Sequence, residues 1–170
     1  VTRMKKDNPL EPEPFIARTI EEVIEAAKSK YCPVAANIAL KDIIEAKEGE
    51  KFWVVGLPCH IHGIRKAQKI NSKLRDRITL CLGIVCNHAP TFRATDFMLK
   101  KYGVKKHDVH RLNYRGEGWP GRFRLNLKNG IEISSINHEY WAAGFGTYFY
   151  STRCTVCCDQ TCELSDISFA

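Results

Sequence analysis

A chain of 170 residues, 44% of them hydrophobic, is long enough for one domain with a real core, so a single domain is expected. Lysine plus arginine exceed aspartate plus glutamate by 26 to 19, a formal charge of +7; the basic residues read as scattered and no nucleic-acid motif appears, which ranks nucleic acid last, behind a solvated surface or a pocket for an anionic dinucleotide. Eight cysteines, a polar start and no run near the roughly 20 apolar residues of a membrane span exclude a spanning segment and disfavour a secreted disulfide scaffold, leaving a reducing cytoplasm with thiolates as metal ligands.

Residues 1–18 carry Pro9, Pro12 and Pro14 and read as an extended lead-in. Thr19 and Glu22 form a capping box, and Ile20, Val23, Ile24 and Ala27 recur at helical spacing, so an amphipathic helix is predicted over 20–28. A second helix is predicted from Asn37 to Lys47, with Leu40, Ile43 and Ile44 on one face and Gly49 as its stop. A strand at Phe52–Val55, a helix from about His60 to Lys69, and a strand at Ile78–Val85 follow. The last is apolar almost throughout, as for a strand covered on both faces. Asn87-His88-Ala89-Pro90 opens a helix that ends before Gly103, with Phe92, Phe97 and Met98 on its core side.

The pattern then changes. Val109–Tyr114 reads as a strand, 115–121 as a glycine-rich loop, and the Asn129-Gly130 turn joins the alternating Phe123, Leu125 and Leu127 to a returning strand Ile131–Ile136. Aromatic residues, among them Tyr140, Trp141, Phe145, Tyr148, Phe149 and Tyr150, lead into a cysteine-rich end. The fold class is therefore α/β: a parallel-strand core with crossover helices, an appended antiparallel hairpin ribbon and a cysteine-rich C-terminal loop. With Val1 first and Ala170 last, an incomplete domain, a piece of a longer chain, is expected.

Cys59 and Cys86 each follow a strand of the parallel part, and ligands collect at the carboxyl ends of such strands. Cys154 and Cys157 have the two-residue spacing that presents two sulfurs to one centre. Four thiolates hold Zn²⁺ or a [4Fe–4S] cluster; the alternative is that Cys59 and Cys86 are ordinary buried thiols. Structural zinc sites gather close pairs, whereas two of these ligands come singly from strand ends, which favours an electron-transfer cluster. Cys81 is expected in the core, and Cys32, Cys158 and Cys162 show no ligand arrangement. His60 and His62 flank the cluster turn as candidate donors to sulfide, with solvent-exposed or capping roles the favoured alternative; the other histidines form no recognisable set. Lys30, Arg65 and Arg115 are candidates for anionic groups on a cofactor, with a surface charge the alternative for each. No catalytic acid or base stands out.

Several stretches resemble the beta-subunit family of coenzyme F420-reducing hydrogenases and F420H2 dehydrogenases. They are Lys28-Ser29-Lys30-Tyr31, Val55-Gly56-Leu57-Pro58-Cys59, Leu82-Gly83-Ile84-Val85-Cys86, the loop from Tyr114 to Gly121, and Cys154-Thr155-Val156-Cys157 followed by Asp159 and 164–168. The resemblance implies an archaeal enzyme of methanogenesis that holds FAD and a [4Fe–4S] cluster and exchanges a hydride with coenzyme F420. It implies Cys59, Cys86, Cys154 and Cys157 as cluster ligands. Ser29, Lys30, Tyr31, Arg115, Gly116, Trp119, Pro120 and Gly121 would lie on the flavin. Glycines 116, 118 and 121 would admit the cofactor to the backbone, and Trp119 would pack either on a ring or in the core. Hydrogenase or dehydrogenase subunits that donate or accept electrons are the implied partners, compatible with a peripheral membrane complex. An iron–sulfur relay without the hydride site and a zinc-stabilised assembly subunit are the alternatives. The chain departs from the family at His60 and His62, where amide or small residues are expected, and in lacking the glycine-rich N-terminal flavin segment.

Overall fold

The computed structural model describes residues 1–116, 118–136 and 147–170. The expectations for Glu117, His138, Tyr140, Trp141 and Phe145 fall outside them. The lead-in is a hairpin rather than a bare extended stretch: strand β1 (Thr2–Met4) pairs antiparallel with β2 (Pro12–Pro14). An isolated two-stranded ribbon leaves alternate N–H groups unpaired, which is why Pro12 and Pro14 fit in it. Arg3 fastens the ribbon through Glu13 at 2.7 Å and lies over the Phe15 ring.

Helix α1 (Ile20–Glu25) is capped as predicted, with Glu22 N–H donating to the Thr19 hydroxyl at 3.3 Å. The Glu22 carboxylate accepts from Arg18 N–H, one residue before the cap. The helix stops three residues short of the prediction because Lys28 turns left-handed, at φ 70°. Its apolar residues are not a core face: Ile20 is 74% exposed and Ile24 67%. Helix α2 (Asn37–Glu45) turns Ile43 inward.

Strand β3 (Phe52–Gly56), helices α3 (Pro58–Ile70) and α4 (Ser72–Arg77) and strand β4 (Ile78–Ile84) form a parallel unit, with Val54 opposite Cys81 and Gly56 opposite Gly83. Asn71 starts α4 by accepting from Leu74 N–H at 3.1 Å. These two helices hold six lysines and arginines against the single acid Asp76, so the basic charge is concentrated here rather than scattered. A third parallel strand, β8 (Ile167–Phe169), lies beside β4 with Leu82 opposite Ile167. It lies in the stretch expected as a cysteine-rich loop, since three residues carry no readable period. The expectation that β4 is covered on both faces fails among the described residues. Phe52, Cys81 and Gly83 lie on the packed face, while Trp53 (70% exposed), Val55, Ile84, Ile167 and Phe169 lie exposed on the other.

Helix α5 (Phe92–Lys101) buries Ala94, Thr95, Met98 and Leu99. Of its three expected core residues only Met98 is inside; Phe92 and Phe97 are exposed, and Phe97 meets Phe149. Gly103 ends the helix at φ 67°, with Val104 N–H reaching back to the Leu99 carbonyl. Strands β5 (Val109–Asn113), β6 (Arg122–Leu127) and β7 (Glu132–Ile136) make the predicted antiparallel ribbon, turned at Gly130 with φ 87°. Two hydrophobic cores result. One joins Met98, Leu112, Tyr114, Phe123, Leu125 and Cys32; the other joins Ile43, Phe52, Ile61, Ile64, Leu74, Ile78, Cys81 and Cys162. Cys81 is a core thiol, as expected.

Candidate functional site: the cysteine edge

The carboxyl ends of β3 and β4 share an edge, and the chain places a cysteine just past each. Pro58 begins α3 where no N–H is needed, so Cys59 sits in the first turn. Gly56 admits this tight approach: a Cβ there would lie 3.1 Å from His60 Cβ and Ile61 Cδ1. Beyond β4, Val85 N–H donates to the Phe169 carbonyl and Cys86 N–H to the Gln160 carbonyl at 2.9 Å. The segment before Cys154 is laid on the segment after Cys86. Pro90 bridges Tyr150, Thr91 N–H donates to the Phe149 carbonyl, Ser151 N–H to the Ala89 carbonyl, and the His88 ring stacks on Tyr150 at 4.5 Å. Cys154 lies in the 3-10 turn Thr152–Val156 and turns its thiol toward the Ala89 carbonyl at 3.9 Å. The Cys157 thiol donates to the Asp159 carbonyl at 3.2 Å.

The thiols share one electrostatic neighbourhood. Burial pushes the Cys59 thiol up, and the thiolates of Cys154 and Cys157 push it further. Burial pushes Cys86 up to about 11, with Cys59, Cys154, Cys157 and Cys162 adding to the shift. Mutually repelling thiolates are what a bound cation relieves, so the donor chemistry suits a thiophilic metal or cluster. Among the described residues, no three Cys, His, Asp or Glu side chains are close enough to hold a single metal ion. The four predicted thiols are gathered at one edge without being closed around a point.

The predicted flavin segments come together at Tyr31 and Tyr114. The Tyr31 ring stands edge-on to Tyr114 at 6.2 Å, which brings 29–31 beside the loop that begins at Arg115. Several of their groups are already committed. The Lys30 ammonium donates to the carbonyls of Ala26, Ala27 and Lys28, closing the end of α1. Burial lowers it to about 8 while Cys32 and Glu25 oppose the shift. Arg115 donates to the Pro120 carbonyl at 3.0 Å and lies over the Trp119 ring at 4.9 Å. Trp119 is 86% exposed, so it is not a core residue; with Arg115 it forms a cationic, aromatic shelf suited to a flat anionic ring. Gly121 serves the loop itself, since its φ is 90° and a Cβ would come 2.7 Å from Arg115 Cγ. Gly116 N–H donates to the Arg122 carbonyl.

Other expectations are corrected. Arg65 is no free anion site: it donates to the Leu164 carbonyl at 2.9 Å and to Asp166 at 2.8 Å, fastening the C-terminal segment to α3. His62 is engaged by Asp159 at 2.9 Å, and His60 takes the capping role expected as the alternative, its Nδ1 accepting from Leu57 N–H at 3.4 Å. Sequence reasoning assigned no role to Asp159. Its carboxylate also accepts from the amides of Cys162 and Glu163, at 2.8 and 3.3 Å, so it organises the loop after Cys157 and ties it to the Cys59 helix. The only forewarning was its position inside the cysteine motif.

The family "Coenzyme F420 hydrogenase/dehydrogenase, beta subunit" is described by two models: the one for its carboxyl-terminal part matches residues 49–170, and the one for its amino-terminal part matches 1–41. The chain belongs to the coenzyme F420 hydrogenase/dehydrogenase beta-subunit family. This member of the family is 31% identical to coenzyme F420 hydrogenase subunit beta of Methanococcus voltae over 91% of its length and 52% of that protein's. It is 30% identical to the protein of the same name from Methanothermobacter thermautotrophicus, over 92% and 53%. A coenzyme F420-dependent sulfite reductase of Methanocaldococcus jannaschii is 23% identical, with 92% of this chain covering 25% of that one. The chain thus spans about half the length of the F420 hydrogenase beta subunits it matches. Its fold superposes on a chain of the xenon-derivatised F420-reducing [NiFe] hydrogenase complex of Methanosarcina barkeri with a TM-score of 0.61, at 20% identity, over 96% of this chain and 54% of that one. No helix among the described residues is long and apolar enough to cross a membrane.

Proposed function

We propose that this chain is the core of an F420-dependent oxidoreductase subunit, a single incomplete domain over 1–170. It would exchange a hydride between coenzyme F420 and FAD and pass single electrons through a [4Fe–4S] cluster to hydrogenase or dehydrogenase partners. The observation that carries the reading is the shared edge: Cys59 and Cys86 follow neighbouring parallel strands, and the segment leading to Cys154 and Cys157 is laid on the one after Cys86, in a chain of this family. Those four thiolates are the assigned cluster ligands. A flavin, when bound, supplies the exchange between two-electron and one-electron chemistry. The chain's own part is to bind and orient. Arg115 and Trp119 offer the cationic and aromatic shelf, the Tyr31–Tyr114 contact joins the two flavin segments, and the Asp159–His62 contact holds the Cys157 loop against the Cys59 helix. The relay without a hydride site has one observation on its side: Lys30 and Arg65 are occupied within the fold.

Anaerobic purification with iron, zinc and flavin analysis, followed by mixing with reduced F420, separates the readings. Iron with a flavin that reduced F420 bleaches is expected. Iron without such a flavin leaves the relay, and zinc without iron leaves the assembly role.

A further inference from the structure

Between Pro58 and Arg77 six lysines and arginines face one acid, which accounts for +5 of the chain's +7. Four of the six, Arg65, Lys66, Lys69 and Arg75, line an open groove of about 600 Å³ together with His62, Leu164 and Gln68, while Arg77 donates to the Ile43 and Ile44 carbonyls. Arg65 is paired with Asp166, and Arg75 reaches Asp76 at 3.5 Å. Lys66 and Lys69 are exposed and make no ion pair or side-chain hydrogen bond among the described residues. The groove begins at the cysteine edge: His62 is one turn beyond Cys59 and is bonded to Asp159, and Leu164 belongs to the segment after Cys162. At 1.5 Å per helical residue, Lys66 stands ~10 Å along the α3 axis from Cys59 and Lys69 ~15 Å.

Arg65, Lys66 and Lys69 follow one another along α3 and Arg75 comes from α4, a spread of positions that suits an extended acidic surface better than one small anion. No aromatic side chain lines the groove, so the stacking platform of a single-strand nucleic-acid site is missing. We propose that the α3–α4 groove is the docking surface for an acidic protein partner. Charge complementarity of this kind sets encounter rate and orientation. The proposal deepens the redox reading by naming the partner's chemistry, and rests on it only for what the partner does once seated.

The test uses the full chain, purified anaerobically, as wild type, as Lys66→Glu/Lys69→Glu, and as the control Lys100→Glu/Lys128→Glu. The probe is a small ferredoxin-type iron–sulfur protein of strongly negative charge, and a single-stranded oligonucleotide is titrated separately. Binding to the wild type is expected to weaken about tenfold on doubling or trebling the salt from 0.1 M, and about tenfold or more in the groove variant, with the control unchanged. Absence of binding, equal affinity in wild type and groove variant, an equal loss in the control, or tighter binding of the oligonucleotide overturns it. Salt-dependent binding lost in the groove variant, from preparations that hold neither iron nor flavin, retains the docking surface and defeats the redox reading instead.

Discussion

Cys81 and Cys86 sit five residues apart and meet opposite surroundings. Cys81 is fully buried on the packed face of β4, whereas Cys86 lies past the strand end among other thiols. Serine at position 59 or 86 is expected to cut bound iron to less than about half, since a cluster with three thiolates is poorly held. Cys81→Ser is expected to keep iron and to lose about 1–3 kcal/mol of stability, because its hydroxyl enters an apolar core. Iron assays beside urea midpoints check both; equal iron in all three variants would defeat the ligand assignment. Asp159 is the residue-scale counterpart. Burial pushes its carboxyl up, but the bonds from His62 and from the Glu163 and Cys162 amides outweigh that and hold it below the usual range. Asp159→Ala is expected to lower the urea midpoint, and to lower iron content in step, by releasing the Cys157 loop.

Two glycines show how element packing decides the sign of one substitution. Gly63 lies inside α3 with open space where a Cβ would go, and its φ is not left-handed. Gly63→Ala is expected to raise stability by about 0.4–1 kcal/mol by restricting the unfolded chain. Gly83 lies in β4, where a Cβ would come 2.6 Å from both Cys162 Sγ and Ser165 Oγ. Gly83→Ala must push the C-terminal loop off the sheet and is expected to cost about 1–3 kcal/mol, read as a lower denaturant midpoint with unchanged slope. The same contact explains β8. Asp166 accepts from Cys81 N–H at 2.7 Å and donates its own amide to the Cys81 carbonyl, so the last segment registers on β4 before its three strand residues pair.

At the scale of the molecule, the buried Cys32 thiol and the half-buried Lys30 ammonium contribute opposite pH responses to the metal-free chain, beside that of Cys86. Burial raises the Cys32 thiol to about 11, against its ordinary 9.0, with the Tyr114 and Lys30 contacts opposing. The folded chain therefore keeps a proton that the unfolded chain releases, so stability is intact below pH 9 and falls as pH rises toward 11. Lys30 works the other way, since its folded value of about 8 lies below the ordinary 10.5 and stability rises with pH between them. Urea midpoints from pH 7 to 11 are expected to show Cys32→Ala removing part of the alkaline decline and Lys30→Met removing the opposing rise.

Alternation, caps and turns in the chain determined the parallel unit, the antiparallel ribbon, the Thr19 cap and the Asn129-Gly130 hairpin, because each depends on residues a few positions apart. The motif residues likewise carried the family and the four candidate thiols. Only the tertiary structure decided that one sheet face lies open, that Arg65 and Lys30 are engaged within the fold, that Asp159 pins the cysteine loop, and that four of the six cations of α3 and α4 line one groove. Arg65 meets Asp166 across 101 positions and His62 meets Asp159 across 97. Local periodicity holds no information about pairings at that separation, which arise when packed cores bring distant segments together.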